Sequence, residues 1–137
     1  MIDLRKGDCL VLMKDIPDKS IDMILCDLPY GTTSCKWDLV IPFEVLWEHY
    51  NRIIKDDGAI FLFGQQPFTS ELIHSNLKMF RHNLVWEKDK CSNFLHAKNQ
   101  PRKLTEDIII FSKNGSGFVH NSKYSPYLFQ YLKESGE

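Results

Sequence analysis

The apolar positions of this 137-residue chain fall into short continuous runs and stretches of wider, helical spacing. In GDCLVLMKDIPDKS, Asp8 is placed to cap a helix whose apolar members are Leu10, Val11 and Met13 and which stops before Pro17. SIDMILCD reads as a short buried strand, followed by a loop from Leu28 to about Pro42. FEVLWEHYNRIIKDDG carries apolar residues at 43, 46, 47, 50, 53 and 54, the spacing of an amphipathic helix, with Gly58 ending it. AIFLFG reads as a second, fully buried strand. Gln65-Gln66-Pro67 then leads into a helix with Phe68, Leu72, Ile73 and Leu77 on one face, Pro67 suiting its first turn. HNLVWEKD and EDIIIFSK are two further strands, joined by the polar loop KCSNFLHAKNQPRKLT.

Strands alternating with helices and closing on two consecutive strands predict an open α/β sheet with right-handed crossovers, its last two strands pairing antiparallel at one edge. In such sheets ligands bind beyond the carboxyl ends of the strands. Asp27 to Gly31 follow one strand there, and Gly64 to Pro67 follow the next.

Length and composition narrow the classes. The chain fits one domain, and an apolar fraction of 43% with 26% charged residues is that of a globular protein. No apolar run approaches the roughly 18 residues of a membrane span, and the N-terminus lacks the apolar core of a secretion signal, so no membrane partner and a cytoplasmic location are expected. Cys9, Cys26, Cys35 and Cys91 show no zinc-ligand spacing, so no metal is expected; Cys9 and Cys26 read as small core fillers. Between residues 78 and 103, seven Lys/Arg against Glu87 and Asp89 make a basic window of +5 in a chain of net charge −1. Such a window suits a polyanion or simply a solvated surface.

The segment DLPYG carries the chemistry. Asp27 ends a strand, Pro29 fixes its own backbone and biases Leu28 toward an extended conformation, and Gly31 lets the chain turn away. The Asp27 carboxylate and the Leu28 carbonyl make two acceptors, and Tyr30 adds a flat face. That set matches an exocyclic amine on a planar base, which donates two hydrogens and presents a ring. Held so, the amine nitrogen can turn its lone pair toward an electrophile, with orientation and electrostatics supplying most of the rate. The same residues also fit an ordinary proline turn with a capping Asp.

DLPYG resembles the D/N/S-P-P-Y/F motif of the amino-methyltransferases. Over residues 2 to 113, GDCLVLMKDIPDKSIDMILCDLPYGTTSCKWD, LWEHYNRIIKDDGAIFLFGQQPF and NLVWEKDKCSNFLHAKNQPRKLTEDIIIFSK together resemble the N-terminal half of the β-type, permuted DNA amino-methyltransferases. The resemblance implies a partial Rossmann-like methyltransferase sheet with an antiparallel edge hairpin, S-adenosylmethionine as cofactor and DNA as partner. It implies catalytic roles for Asp27, Leu28, Pro29 and Tyr30, the carboxylate form of the motif going most often with adenine N6. Asp8, Cys9 and Asp27 would lie against the cofactor, Asp8 serving equally as a helix cap. Tyr30, Gly64, Gln65 and Pro67 would line the target-base pocket. Lys90, Lys98, Arg102 and Lys103 would meet DNA phosphates, with Asn93 and Phe94 reaching toward the nucleotide.

Position 28 is Leu where the family usually has Pro, but a backbone carbonyl is what it supplies. The glycine-rich F-x-G-x-G loop of the permuted order does not occur in this sequence; Asn114-Gly115-Ser116-Gly117 reads as a turn. Residues 1–113 are therefore expected to be the catalytic half of a methyltransferase, 114–137 a tail or the start of a target-recognition region. Self-association or a separate C-terminal half is expected to complete it. The alternatives are a non-catalytic DNA- or partner-binding remnant, or an amino-methyltransferase of cytosine N4 or RNA.

Overall fold

The computed structural model describes residues 2–92 and 103–114. Helix α1 (Cys9–Leu12) runs into a 3-10 turn at Met13–Asp15 and is followed by β1 (Ile21–Asp27), α2 (Phe43–Ile53), β2 (Ile54–Gly64), α3 (Phe68–Ser75), β3 (Phe80–Ser92) and β4 (Lys103–Ser112). The four strands form one sheet in the order β1-β2-β4-β3. β1 and β2 are parallel, and β4 runs antiparallel to both β2 and β3. This is the open α/β sheet with an antiparallel edge hairpin that the sequence pattern predicts.

Strand pairing sorts the side chains onto two faces. Ile24, Ile60 and Phe111 share one face with Leu62 and Ile109, and α2 and α3 cover it. The helices meet that face with Leu46, Trp47, Tyr50 and Ile53 from α2 and Phe68 and Leu72 from α3, the three-and-four spacing of a helical stripe. Ile60, Leu62, Ile109, Phe111, Leu46 and Leu72 are fully buried. The Trp47 ring stands edge-on to Phe111 at 4.7 Å, and its Nε1 donates to Ser75 Oγ at 2.8 Å, tying the two helices together.

The opposite face carries Met23, Leu25 and Asp27 from β1, Phe61 and Phe63 from β2, and Leu84 and Trp86 from β3. Here the reading of the first strand as buried is corrected: Met23 is 47% exposed and Leu25 59% exposed, because no described helix covers this face of β1. No helix of the described residues is long and apolar enough to cross a membrane.

Three further expectations are corrected. Helix α2 ends at Ile53, well before Gly58, because the Lys19 and Ser20 amides capture the carbonyls of Arg52 and Ile53, each at 2.9 Å, and Ile21 pairs with Ile54. Gly58 lies inside β2 where a Cβ would stand 2.9 Å from the Asp22 carbonyl, a close backbone approach. Helix α3 stops at Ser75, leaving Leu77 exposed, because the Asn76 carbonyl takes the amides of Met79 and Phe80 at 3.1 Å and turns the chain into β3. Cys9 is exposed and is no core filler; α1 is one turn long and presents it outward.

Candidate functional site at the strand ends

Asp27 is the last residue of β1 and pairs with Phe63, one residue before β2 ends at Gly64. The Leu28 side chain is buried in the core, so the chain leaving β1 is anchored at the residue after Asp27. Tyr30 then comes back over the strand end: its hydroxyl donates to Asp27 Oδ1 at 2.7 Å. Its ring lies 5.0 Å from that of Phe68, tilted by 32°, and Phe43 lies 5.8 Å from Phe68. Burial pushes the Tyr30 phenol well above its ordinary range; the hydrogen bond to Asp27 and the charges of Glu106 and Asp107 push the same way. The phenol is therefore a donor at neutral pH.

Gly31 follows with φ +68°, a left-handed conformation suited to glycine. The loop beyond it is closed by Asp38, whose carboxylate accepts the amides of Gly31 and Thr33. Gly64, Gln65 and Pro67 form the turn from β2 into α3, with a cis Gln66–Pro67 peptide, and deliver Phe68 beneath Tyr30. A Cβ on Gly64 would stand 2.8 Å from Thr69 Oγ1, so the helix packs directly on this residue.

A second group reaches the site from β4. Being antiparallel, β4 brings its first residues to the carboxyl ends of β1 and β2. Asp107 accepts from Thr69 Oγ1 at 2.8 Å and Asn83 Nδ2 at 3.1 Å, locking α3 to the hairpin. Glu106 accepts from Gln65 Nε2 at 3.2 Å and is paired with Lys88, which stands 5.3 Å from the centre of the Trp86 ring. Trp86 in turn meets Phe63 edge-on at 5.9 Å. Among the described residues, no cluster of His, Cys, Asp or Glu is arranged to hold a metal ion.

Asp8 is seen as the cap of α1, its Oδ1 accepting the Leu10 amide at 2.8 Å. An open cleft of about 560 Å³ runs along α1, lined in part by Arg5, Gly7, Cys9, Leu12, Met13 and Ile21.

No protein-family model matches the chain. YhdJ of Escherichia coli K12, a DNA adenine methyltransferase, is 29% identical over 128 residues, covering 84% of this chain and 42% of that protein. M.HinfI, a type II methyltransferase of Haemophilus influenzae, is 28% identical over 111 residues, covering 62% of this chain and 31% of its own. Among solved structures, the cytosine-N4-specific PvuII DNA methyltransferase superposes with a TM-score of 0.60 at 13% identity over 80% of this chain and 48% of that one. M1.HpyAVI in complex with SAM superposes with a TM-score of 0.57 at 17% identity over 82% and 56%. The chain shares the fold of these solved methyltransferases. The chain spans about half the length of these solved structures and 42% or less of the two sequence relatives.

The structure brings Asp27, Leu28, Pro29, Tyr30, Gly64, Gln65 and Pro67 to one end of the sheet. It separates the expected DNA loop differently. Lys90 and Lys103 lie in β3 and β4, because the hairpin strands extend past the apolar runs that signal them. Lys98, Arg102, Asn93 and Phe94 lie outside the described residues. Asp38, Lys88, Glu106 and Asp107 are site residues that the sequence reading does not single out. The pair Glu106-Asp107 opening EDIIIFSK is a usable signal only once β4 is known to run antiparallel. Asp38 offers no pattern beyond its place in a loop.

Proposed function

We propose that this chain is the amine-binding half of a DNA methyltransferase that moves a methyl group from S-adenosylmethionine to N6 of adenine. Residues 1–113 carry that half, and 114–137 a tail or the start of a target-recognition region. The observation that carries the reading is Asp27 at the end of a parallel strand, with the Tyr30–Phe68 aromatic pair beside it. Supporting it are the fold and the relative described as an adenine methyltransferase.

S-adenosylmethionine, when bound, supplies an electrophilic methyl group; Asp8, Cys9 and Asp27 are the residues assigned to hold it. The target amine donates to the Asp27 carboxylate and the Leu28 carbonyl, which turns the nitrogen lone pair out of the base plane. Tyr30 stacks on the base, Pro29 shapes the loop, and Gly64, Gln65 and Pro67 form the pocket floor with Phe68. Asp27 would also stabilise the positive charge that grows on nitrogen as the methyl carbon passes to it from sulfur, leaving a neutral thioether, before the surplus amine proton is lost to solvent. Lys90, Lys98, Arg102 and Lys103 are assigned to phosphates.

The exposed β1 edge and the apolar residues Met23 and Leu25 support completion of the sheet by a second copy or a separate C-terminal half. The deciding experiment supplies labelled S-adenosylmethionine and duplex DNA, with and without a C-terminal half from a related enzyme, and identifies the methylated base by mass spectrometry. N6-methyladenine is expected, lost by on the order of a hundredfold or more in Asp27→Ala. N4-methylcytosine would move the assignment to cytosine. Undiminished transfer by Asp27→Ala would remove the mechanism, and DNA binding without cofactor binding or transfer would leave a binding remnant.

A further inference from the structure

Asp38 is buried although its neighbours are not: Trp37 is 74% exposed and Leu39 72% exposed. Its side chain points back into its own loop. Oδ1 accepts the Gly31 amide at 2.9 Å and Oδ2 the Thr33 amide at 2.7 Å, while its own amide donates to the Cys35 carbonyl at 3.0 Å. One carboxylate thus closes the loop from inside. Its first bond lands on the residue immediately after Tyr30. That residue is a glycine at φ +68°, whose backbone has more accessible conformations than any other type and most needs an external restraint. Val40 seals the other side, its Cγ2 standing 2.9 Å from where a Cβ on Gly31 would be.

We propose that Asp38 is the positioning residue of the candidate site: by holding the Gly31 and Thr33 amides it keeps Tyr30 where its hydroxyl reaches Asp27 and its ring reaches Phe68. Asp38 touches neither Asp27 nor an incoming amine in this scheme; it acts through the loop. Both bonds run from a neutral amide to a carboxylate, the stronger class of hydrogen bond. The consequence for methyl transfer rests on the function proposed above, whereas the geometric claim does not.

The test is made on the full chain with Asp38→Ala and Asp38→Asn. Amide hydrogen exchange at Gly31 and Thr33 is measured by NMR, with Ile60 and Leu62 as core references, and Tyr30–Phe68 contact by ring–ring NOE. In Asp38→Ala both loop amides are expected to exchange faster by roughly tenfold to a hundredfold, with core amides unchanged and the NOE lost. Asp38→Asn keeps one acceptor and is expected to protect one amide and retain part of the NOE, so it decides the matter if the alanine variant does not fold. Loop amides and NOE as in the parent chain would overturn the proposal. In the completed enzyme, kcat should fall in Asp38→Asn with little change in KM for DNA, and a parental kcat would count equally against it. A parent protein that transfers no methyl group would reject the function instead, leaving the exchange data to decide on Asp38.

Discussion

The hydroxyl of Tyr30 donates to Asp27 Oδ1 at 2.7 Å. Asp27, proposed to accept from the amine, and Tyr30, proposed to stack on its base, are therefore already bonded to each other. An amine must be met by Oδ2 or the second lone pair of Oδ1, or must displace the phenol and take over its bond. Tyr30→Phe separates these roles, since it keeps the ring on Phe68 and removes only the donor. Single-turnover transfer by the completed enzyme is expected to change by no more than about tenfold in Tyr30→Phe, the worth of one hydrogen bond. Tyr30→Ala, which removes the stacking face as well, should lose clearly more. Equal losses in the two variants would show that the ring contributes nothing.

The same phenol, with Tyr50, predicts an alkaline limit to stability. Burial raises both above the value near 10 that they have when unfolded, so the folded state holds its protons more tightly. Their contribution is complete below about pH 10 and is lost as pH rises beyond it. Urea midpoints followed from neutral to strongly alkaline pH should fall, and Tyr50→Phe should flatten the fall.

At the acid end, hydrogen bonds from Thr33 and from the Gly31 amide hold Asp38 below the ordinary carboxylate range. That contribution is present above the unfolded value of about 3.9 and is lost as pH falls through the lower folded value. Asp38→Asn should remove this part of the acid limb, read as a smaller drop in urea midpoint below about pH 4.

Gly64→Ala tests how tightly α3 rests on β2. The new methyl would stand 2.8 Å from Thr69 Oγ1 and 3.0 Å from Ile109 Cδ1. Thr69 cannot swing aside without losing its bond to Asp107. A loss of about 1–3 kcal/mol is expected from urea unfolding, the usual cost of overpacking. An unchanged midpoint would mean that the helix shifts freely, and with it Phe68.

Leu25→Glu addresses the uncovered face of β1. Leu25 is 59% exposed in β1, so a charge there should leave the chain's melting temperature within a few degrees. Sedimentation should show less self-association, and transfer supported by an added C-terminal half should fall. Unaltered complementation would place the joining surface elsewhere.

Much of the sheet was legible because its strands are apolar runs. AIFLFG and EDIIIFSK bury Ile60, Leu62, Ile109 and Phe111, as continuous apolar sequence demands. SIDMILCD has the same pattern, yet Met23 and Leu25 are exposed, because periodicity reports what a face is suited to bury and not whether a neighbour covers it. The end of α2 was misplaced for a different reason. Residues 54 to 57 continue a helical pattern, and only the distant partners Lys19 to Ile21 pull Ile54 into a strand. The DLPYG segment could be read from local chemistry alone. Asp38, Glu106, Asp107 and Lys88 could not, since each acquires its role from a partner that only the fold brings near.

Asp27 lies in β1, an edge strand of the described sheet. Adjacent strands stand about 4.8 Å apart, so any strand added to that edge places its backbone next to that of Asp27. Whatever docks there becomes a wall of the amine site in the same event. Assembly and chemistry then share one address, and methyl transfer would report directly on whether the edge had been filled.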